Sequence, residues 1–207
     1  MNSPNSSEIG TGAADAPDIR TIASSVVYED SWMALRRDEV ERRDGTRGTY
    51  AVVDKPDFVV VIPADGDRFC LVEEYRYPIR RRSWSFPQGA FPGRSSGDPL
   101  QLARLELAQE TGLRVRSLTL LGFLHSAHGT IAQGYHVYLA TGLTEGIPDR
   151  EAEEQDMLHA WVTRPQFRDM ILNADITDDS TVAAYSLLLL HEQDGASEGA
   201  GRVSGEA

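Results

Sequence analysis

Two glutamates, Glu106 and Glu110, stand one helical turn apart near the end of a 25-residue stretch, GAFPGRSSGDPLQLARLELAQETGL, running from Gly89 to Leu113. Carboxylates at that spacing share one helix face, and Gln109 lies beside them. Like charges held so close repel unless a positive charge lies between them. A divalent cation with oxygen ligands is the usual answer. The loop before the helix carries Gly89, Pro92, Gly93 and Gly97, which allow its backbone to come close to a ligand. The combination points to a hard-metal site beside a flexible turn, an arrangement suited to phosphate chemistry. An isolated glutamate pair is ordinarily a solvated helix face. The glycine loop, and the aromatic segment Ser83-Trp84-Ser85-Phe86-Pro87 before it, set this pair apart.

The helix has its own start and stop signals. Asp98 is the expected N-cap, Pro99 the first helical residue and Gln101 the far corner of a capping box, while Gly112 ends the helix. Leu100, Ala103 and Leu107 fall on one stripe that should face the core, with Glu106 and Glu110 at its edge. Upstream the chain reads as strands. Thr49–Val53 and Phe58–Ile62 are β-branched runs separated by Lys55-Pro56-Asp57, and Ala64-Asp65-Gly66-Asp67 is a hairpin turn into Arg68–Tyr75. Asp44-Gly45 is another turn signal after the charged run RRDEVERRDG. Downstream, Leu118–Leu124, Tyr135–Ala140 and Leu158–Val162 read as strands. Pro165–Leu172 and Thr181–Glu192 read as helices, the second capped from within Asp178–Ser180. Helices packed on a mixed sheet, an α/β (α+β) fold, follow from this order.

Composition sets limits. The 207 residues suit one domain with appendages, and 41% hydrophobic and 25% charged residues are ordinary for a globular chain. A net charge of −12 argues against nucleic acid as a partner. The single cysteine, Cys70, lies in an apolar run and reads as a core thiol; it excludes a disulfide framework and a cysteine zinc site within the chain. No apolar run reaches the length of a membrane span, and the polar N-terminus lacks a secretory pattern. A cytoplasmic setting is the expectation. Residues 1–19 and 194–207, rich in small and acidic residues, read as disordered tails. His125 and His128 have a spacing that permits metal ligation, but with no third ligand nearby they read as loop histidines.

The stretch from Gly89 to Leu113 resembles the Nudix box, G-x5-E-x7-R-E-U-x-E-E-x-G-U, with U a large aliphatic residue. Glu106, Leu107, Glu110, Gly112 and Leu113 match its later positions. The flanks resemble the ADP-ribose and nucleotide-sugar pyrophosphatase branch, in Val72-Glu73-Glu74-Tyr75-Arg76-Tyr77-Pro78, in Trp84-Ser85-Phe86-Pro87-Gln88-Gly89, and in Ile176-Thr177-Asp178 followed by Thr181–Ala184. The resemblance spans residues 26–192. It implies an α/β/α sandwich over 55–193 and an N-terminal antiparallel β-extension over 20–54 that pairs subunits into a homodimer.

The box is degenerate. Leu105 replaces the Arg, Gln109 the middle Glu and Gly97 the first Glu, and the loop is two residues longer than the pattern. The family braces this loop with an ion pair between that Glu and that Arg. Both are missing together, which costs less than stranding one charge; Leu105 can pack with Phe91 or Leu102 instead. The resemblance implies Mg2+, with Mn2+ as a substitute, held by Glu106 and Glu110, with Gln109 as a weaker neighbour and the Gln88 carbonyl as a further ligand. A general base is implied on the loop Arg150–Asp156, with Glu153 favoured over Glu154. Arg76 matches the phosphate-binding Arg, with Lys55 as an aid. Trp32 and Tyr50 match aromatic residues that sandwich an adenine. The implied reaction is hydrolysis of the diphosphate of ADP-ribose or a related nucleoside diphosphate sugar. The alternative is a nucleotide-sensing module weakened in catalysis.

Overall fold

The structure, a computed structural model, describes residues 17–150 and 155–202, with side chains described as far as residue 195. Three antiparallel strands come first: β1 (Ile19–Glu29), β2 (Ala34–Arg42) and β3 (Arg47–Asp54). The charged run that follows Leu35 is therefore strand β2. Its alternation carries the reason: Ala34, Asp38 and Val40 are buried, while Arg37 and Glu39 face out. Arg36 bonds Asp38 and Asp54, so the buried carboxylate at 38 is paired.

The run Phe58-Val59-Val60-Val61-Ile62 shows no polar alternation. Such a strand needs cover on both faces. It forms β4 (Phe58–Asp65), followed by β5 (Arg68–Arg76), β6 (Arg81–Ser85), β7 (Gln88–Ala90), α1 (Pro99–Thr111), β8 (Arg114–His125), the short β9 (Ile131–Ala132), β10 (Gly134–Thr144), β11 (Leu158–Thr163), α2 (Arg164–Leu172) and α3 (Asp179–Arg202). Val59 and Val61 pack with Leu102, Ala103 and Leu107 of α1 on one face. Val60 and Ile62 pack with Phe167 of α2 and Ala184 and Leu188 of α3 on the other. Helices thus cover both sides of the sheet, which is the expected α/β/α sandwich. The order is β11-β5-β4-β10-β8, with β6 on β5 and β7 on β4. β4 and β10 run parallel and the other pairs antiparallel, so the sheet is mixed. β9 joins the N-terminal sheet beside β3, in the order β1-β2-β3-β9.

Several expectations need correction. Asp98 does cap α1, accepting from Leu100 N at 2.9 Å, but the cap bond described is that one alone, without a reciprocal bond from Gln101. A true capping box stands instead at α2, between Thr163 and Gln166. Leu100 is exposed, and Leu102 takes its place in the core. The buried stripe is centred on Leu102, Ala103, Glu106, Leu107 and Glu110, and Leu100 falls at its outer edge. Leu105 is also exposed, at 46%, so it does not replace the missing ion pair as a buried contact. The tail placed at 194–207 begins inside α3, which continues to Arg202. Loss of apolar residues after Leu190 marks the end of burial, whereas helix hydrogen bonding depends on the backbone. Cys70 is buried in the core, and burial pushes its thiol pKa up to about 12. No helix among the described residues is long and apolar enough to cross a membrane.

Candidate active site

The site begins where β7 meets α1. Gly89 pairs with Val59 at the centre of the sheet, and α1 crosses directly beside it. A Cβ at Gly89 would lie 2.4 Å from both Cδ and Oε2 of Glu106. Only glycine permits that approach of backbone to carboxylate. Glu110, one turn on, is 2% exposed, and its Oε2 accepts from Gln88 N at 3.2 Å. Glu106 is nearly as buried, at 8%. Two carboxylates and the Gln88–Gly89 backbone thus converge at one point.

Gln88 is fixed from the other side of the sheet. Its Oε1 lies 2.8 Å from the Ser180 hydroxyl, which also lies 2.6 Å from Asp178 Oδ2. Asp178 caps α3 by accepting from Thr181 N at 2.8 Å. The start of α3 and the β7 turn that faces the two carboxylates are therefore one hydrogen-bonded unit.

A cavity of about 490 Å³ opens over this unit. Glu106, Gln88, Gly89 and Ser180 line it. Lys55 and Arg76 supply positive charge, and Trp32 contributes an aromatic wall. Arg76 Nη2 lies 2.7 Å from Glu74 Oε1. Burial pushes the Glu74 carboxyl pKa above its usual range, and the Arg76 charge opposes that rise.

Trp32, Lys55, Arg76, Gln88 and Glu106 are thus brought together around one cavity. Glu110 is buried and does not line the cavity. Gln109 is half-buried and does not line the cavity; its carbonyl accepts from Asp149 N at 3.1 Å. Tyr50 is exposed on β3, also off the cavity. Glu153 and Glu154 lie outside the described residues. Of the residues flanking them, Arg150 is anchored at α1, its Nε donating to the Glu110 carbonyl at 3.1 Å, and Gln155 Nε2 donates to the Arg150 carbonyl at 2.9 Å. Arg150 also donates to His159 Nδ1 at 3.0 Å, so that nitrogen accepts. Burial, and then the Arg150 charge, hold the His159 pKa below its usual value.

Wall residues without a site role in the sequence reading include Glu74, Phe58, Arg94 and Gln133. Glu74 had one available clue, its place two residues before Arg76 on the same strand face. Gln133 donates to the Pro56 carbonyl at 2.6 Å, a contact between segments 77 residues apart that no local pattern announces.

The two carboxylates offer oxygen ligands, which suit a hard cation. Among the described residues no group of three His, Cys, Asp or Glu side chains could hold a metal. A hard cation at the carboxylate pair would take further oxygens from the backbone, water or substrate to complete its shell.

Comparison with known proteins agrees with this geometry. Residues 54–185 match the NUDIX domain, and residues 19–53 match the nucleoside diphosphate sugar hydrolase N-terminal domain. An ADP-ribose pyrophosphatase of Mycobacterium tuberculosis is 32% identical over 177 residues, covering 84% of each chain. An ADP-ribose pyrophosphatase of Bacillus subtilis is 25% identical over 175 residues, covering 84% of this chain and 94% of the relative. The crystal structure of an ADP compounds hydrolase superposes with a TM-score of 0.74 at 18% identity, covering 89% of this chain and 98% of that one, which shows the shared fold.

Proposed function

The chain belongs to the Nudix family and is a pyrophosphohydrolase of that type; we propose that it hydrolyses the diphosphate of ADP-ribose, or of a closely related nucleoside diphosphate sugar, in a Mg2+-dependent reaction that releases AMP and a sugar phosphate. The observation that carries this reading is the convergence of Glu106, Glu110 and the Gln88–Gly89 backbone at the end of a cavity lined by Lys55, Arg76 and Trp32. Glu106, Glu110 and the Gln88 carbonyl would hold the Mg2+. When bound, the ion polarises phosphate oxygens and acidifies a coordinated water. Mn2+ would substitute, since it accepts the same oxygen donors.

The protein's own groups do the rest. Lys55 and Arg76 bind the diphosphate and fix its orientation, and Arg76 exchanges its bond to Glu74 for one to phosphate. Trp32 stacks against the base. Glu153, with Glu154 as second choice, takes the proton from the attacking water. Support comes from Arg150, which donates to the Glu110 carbonyl at the end of α1, and from Gln155, which donates back to the Arg150 carbonyl. Gln109, although it does not line the cavity, would offer a neutral side-chain oxygen at the edge of the shell.

A homodimer belongs to this proposal. All eleven residues of β1 are exposed, Val26, Val27 and Tyr28 among them, and an edge strand of that character invites a partner. Tyr50, off its own cavity, would then serve the partner's site. A reducing cytoplasm is proposed from the cysteine usage. The weakened, nucleotide-sensing alternative has one observation in its favour, the neutral Gln109 in place of a third carboxylate.

The test is direct. Protein, Mg2+ and ADP-ribose are incubated and AMP is measured, with Glu110→Gln alongside. The expected result is AMP release that requires Mg2+ and falls by roughly 100-fold or more in the variant. Binding of ADP-ribose without turnover, unchanged by the substitution, would favour the sensing module.

A further inference from the structure

The glycine-rich loop is tethered to the N-terminal sheet. Gly93 and Arg94 are both in the left-handed region, at φ 64° and 57°. Arginine rarely adopts that conformation, and a residue held there marks a local constraint. It turns the Arg94 side chain out of the loop toward the end of β1, where Nη1 donates to Glu29 Oε1. Arg94 also lines the cavity, whereas Glu29 does not.

Glu29 adjoins the turn that carries Trp32. Asp30 builds that turn: its Oδ1 accepts from Trp32 N at 2.7 Å and from Met33 N at 2.8 Å, and its Oδ2 accepts from Tyr28 OH at 2.9 Å. Ser31 and Trp32 line the same cavity as Glu106. Trp32 is 61% exposed, so core packing does not hold this turn in place. The loop end is held by a different contact. The Phe91 ring lies on Gly97, where a Cβ would sit 2.5 Å from the ring.

We propose that Arg94 is a positioning residue: its ion pair with Glu29 straps the Trp32-bearing turn to the loop beside Glu106, and so sets the distance between the base-stacking wall and the diphosphate centre. This rests on the pyrophosphatase reading for its effect on catalysis, though not for its structural part. The loop lacks the brace that a Glu at 97 and an Arg at 105 would supply; here it is fixed by Phe91 on its inner side and by Arg94 on its outer side. The Arg94 charge also reaches Asp30. That carboxyl lies below its usual pKa, first through the Trp32 and Met33 amides and, as a smaller cause, through Arg94.

Hydrogen exchange of ligand-free protein tests the strap independently of activity. Glu29→Gln and Arg94→Met should each speed exchange of the Trp32 and Met33 amides by up to about fivefold, the range of a partly exposed ion pair. The double variant should add nothing further. Glu29→Lys should be worse than Glu29→Gln in the presence of Arg94, and no worse in its absence. Kinetics test the role. Glu29→Gln should raise KM for ADP-ribose about fivefold with kcat within about twofold, and should leave KM for a diphosphate sugar without a nucleobase unchanged. Unchanged exchange in Glu29→Gln, additive effects in the double variant, or an equal KM shift for both substrates would each overturn the proposal. If ADP-ribose is not turned over at all while the exchange results hold, the substrate reading fails and the strap stands.

Discussion

Glu106 and Glu110 were readable as a pair because helical spacing alone puts them on one face. Their burial was not. It results from Gly89, which brings a strand backbone against Glu106, and from Gln88, whose amide bonds Glu110. Gly89→Ala therefore tests the site at its tightest point. The new Cβ would overlap the Glu106 carboxylate, which must move by about 1 Å or more, and a displacement of that size costs roughly 100-fold in rate. AMP release should fall by that factor while circular dichroism stays native. Full activity would show that Glu106 is free to sit elsewhere. Among the residues proposed for recognition, Arg76, Lys55 and Trp32 line one cavity from three separated segments. Their juxtaposition could be expected only through resemblance, since nothing in local spacing links residues 32, 55 and 76. Tyr50 illustrates the limit, because it matched the same pattern and lies off the cavity of its own chain.

Elements were legible where a local signal exists. The capped, glycine-terminated α1 runs from Pro99 to Thr111, with Gly112 left-handed at φ 77°. The uninterrupted apolar run of β4 announced a strand covered on both faces. Strands β6 and β7 were less legible: Trp84, Phe86 and Pro87 read as an aromatic approach to the loop, and the pairings that make them strands are with β5 and β4. The charged β2 hid its alternation because a buried aspartate holds one core-facing position. The cap of α1 offers a prediction at this scale. Asp98→Ala removes the bond to Leu100 N and should lower stability by about 1 kcal/mol, measured by denaturant unfolding. Gln101→Ala should leave it unchanged within about 0.5 kcal/mol, since Gln101 is exposed and takes no part in the cap described. A loss as large as that of Asp98→Ala would restore the capping box.

For the molecule as a whole, the cavity imposes a cost on stability. Glu74 is partly buried in its wall, with its folded-state pKa above the unfolded value. A group shifted that way favours folding most when protonated, below its unfolded pKa, and loses that contribution as pH rises through the folded pKa. At neutral pH its charge therefore works against the fold. Glu74→Gln should raise the melting temperature at pH 7, and the gain should shrink to nothing below about pH 4, where both states are protonated. A melting temperature that falls on substitution at pH 7 would mean that the bond to Arg76 outweighs desolvation. By itself the sequence determined the helix with its two carboxylates, the apolar central strand and the class of fold, because spacing, caps and periodicity act over a few residues. The tertiary structure decided which cations and which aromatic wall face those carboxylates, how deeply the carboxylates are buried, and that Arg94 reaches Glu29. Those depend on contacts between segments tens of residues apart, and such contacts exist only once both faces of the sheet have been covered.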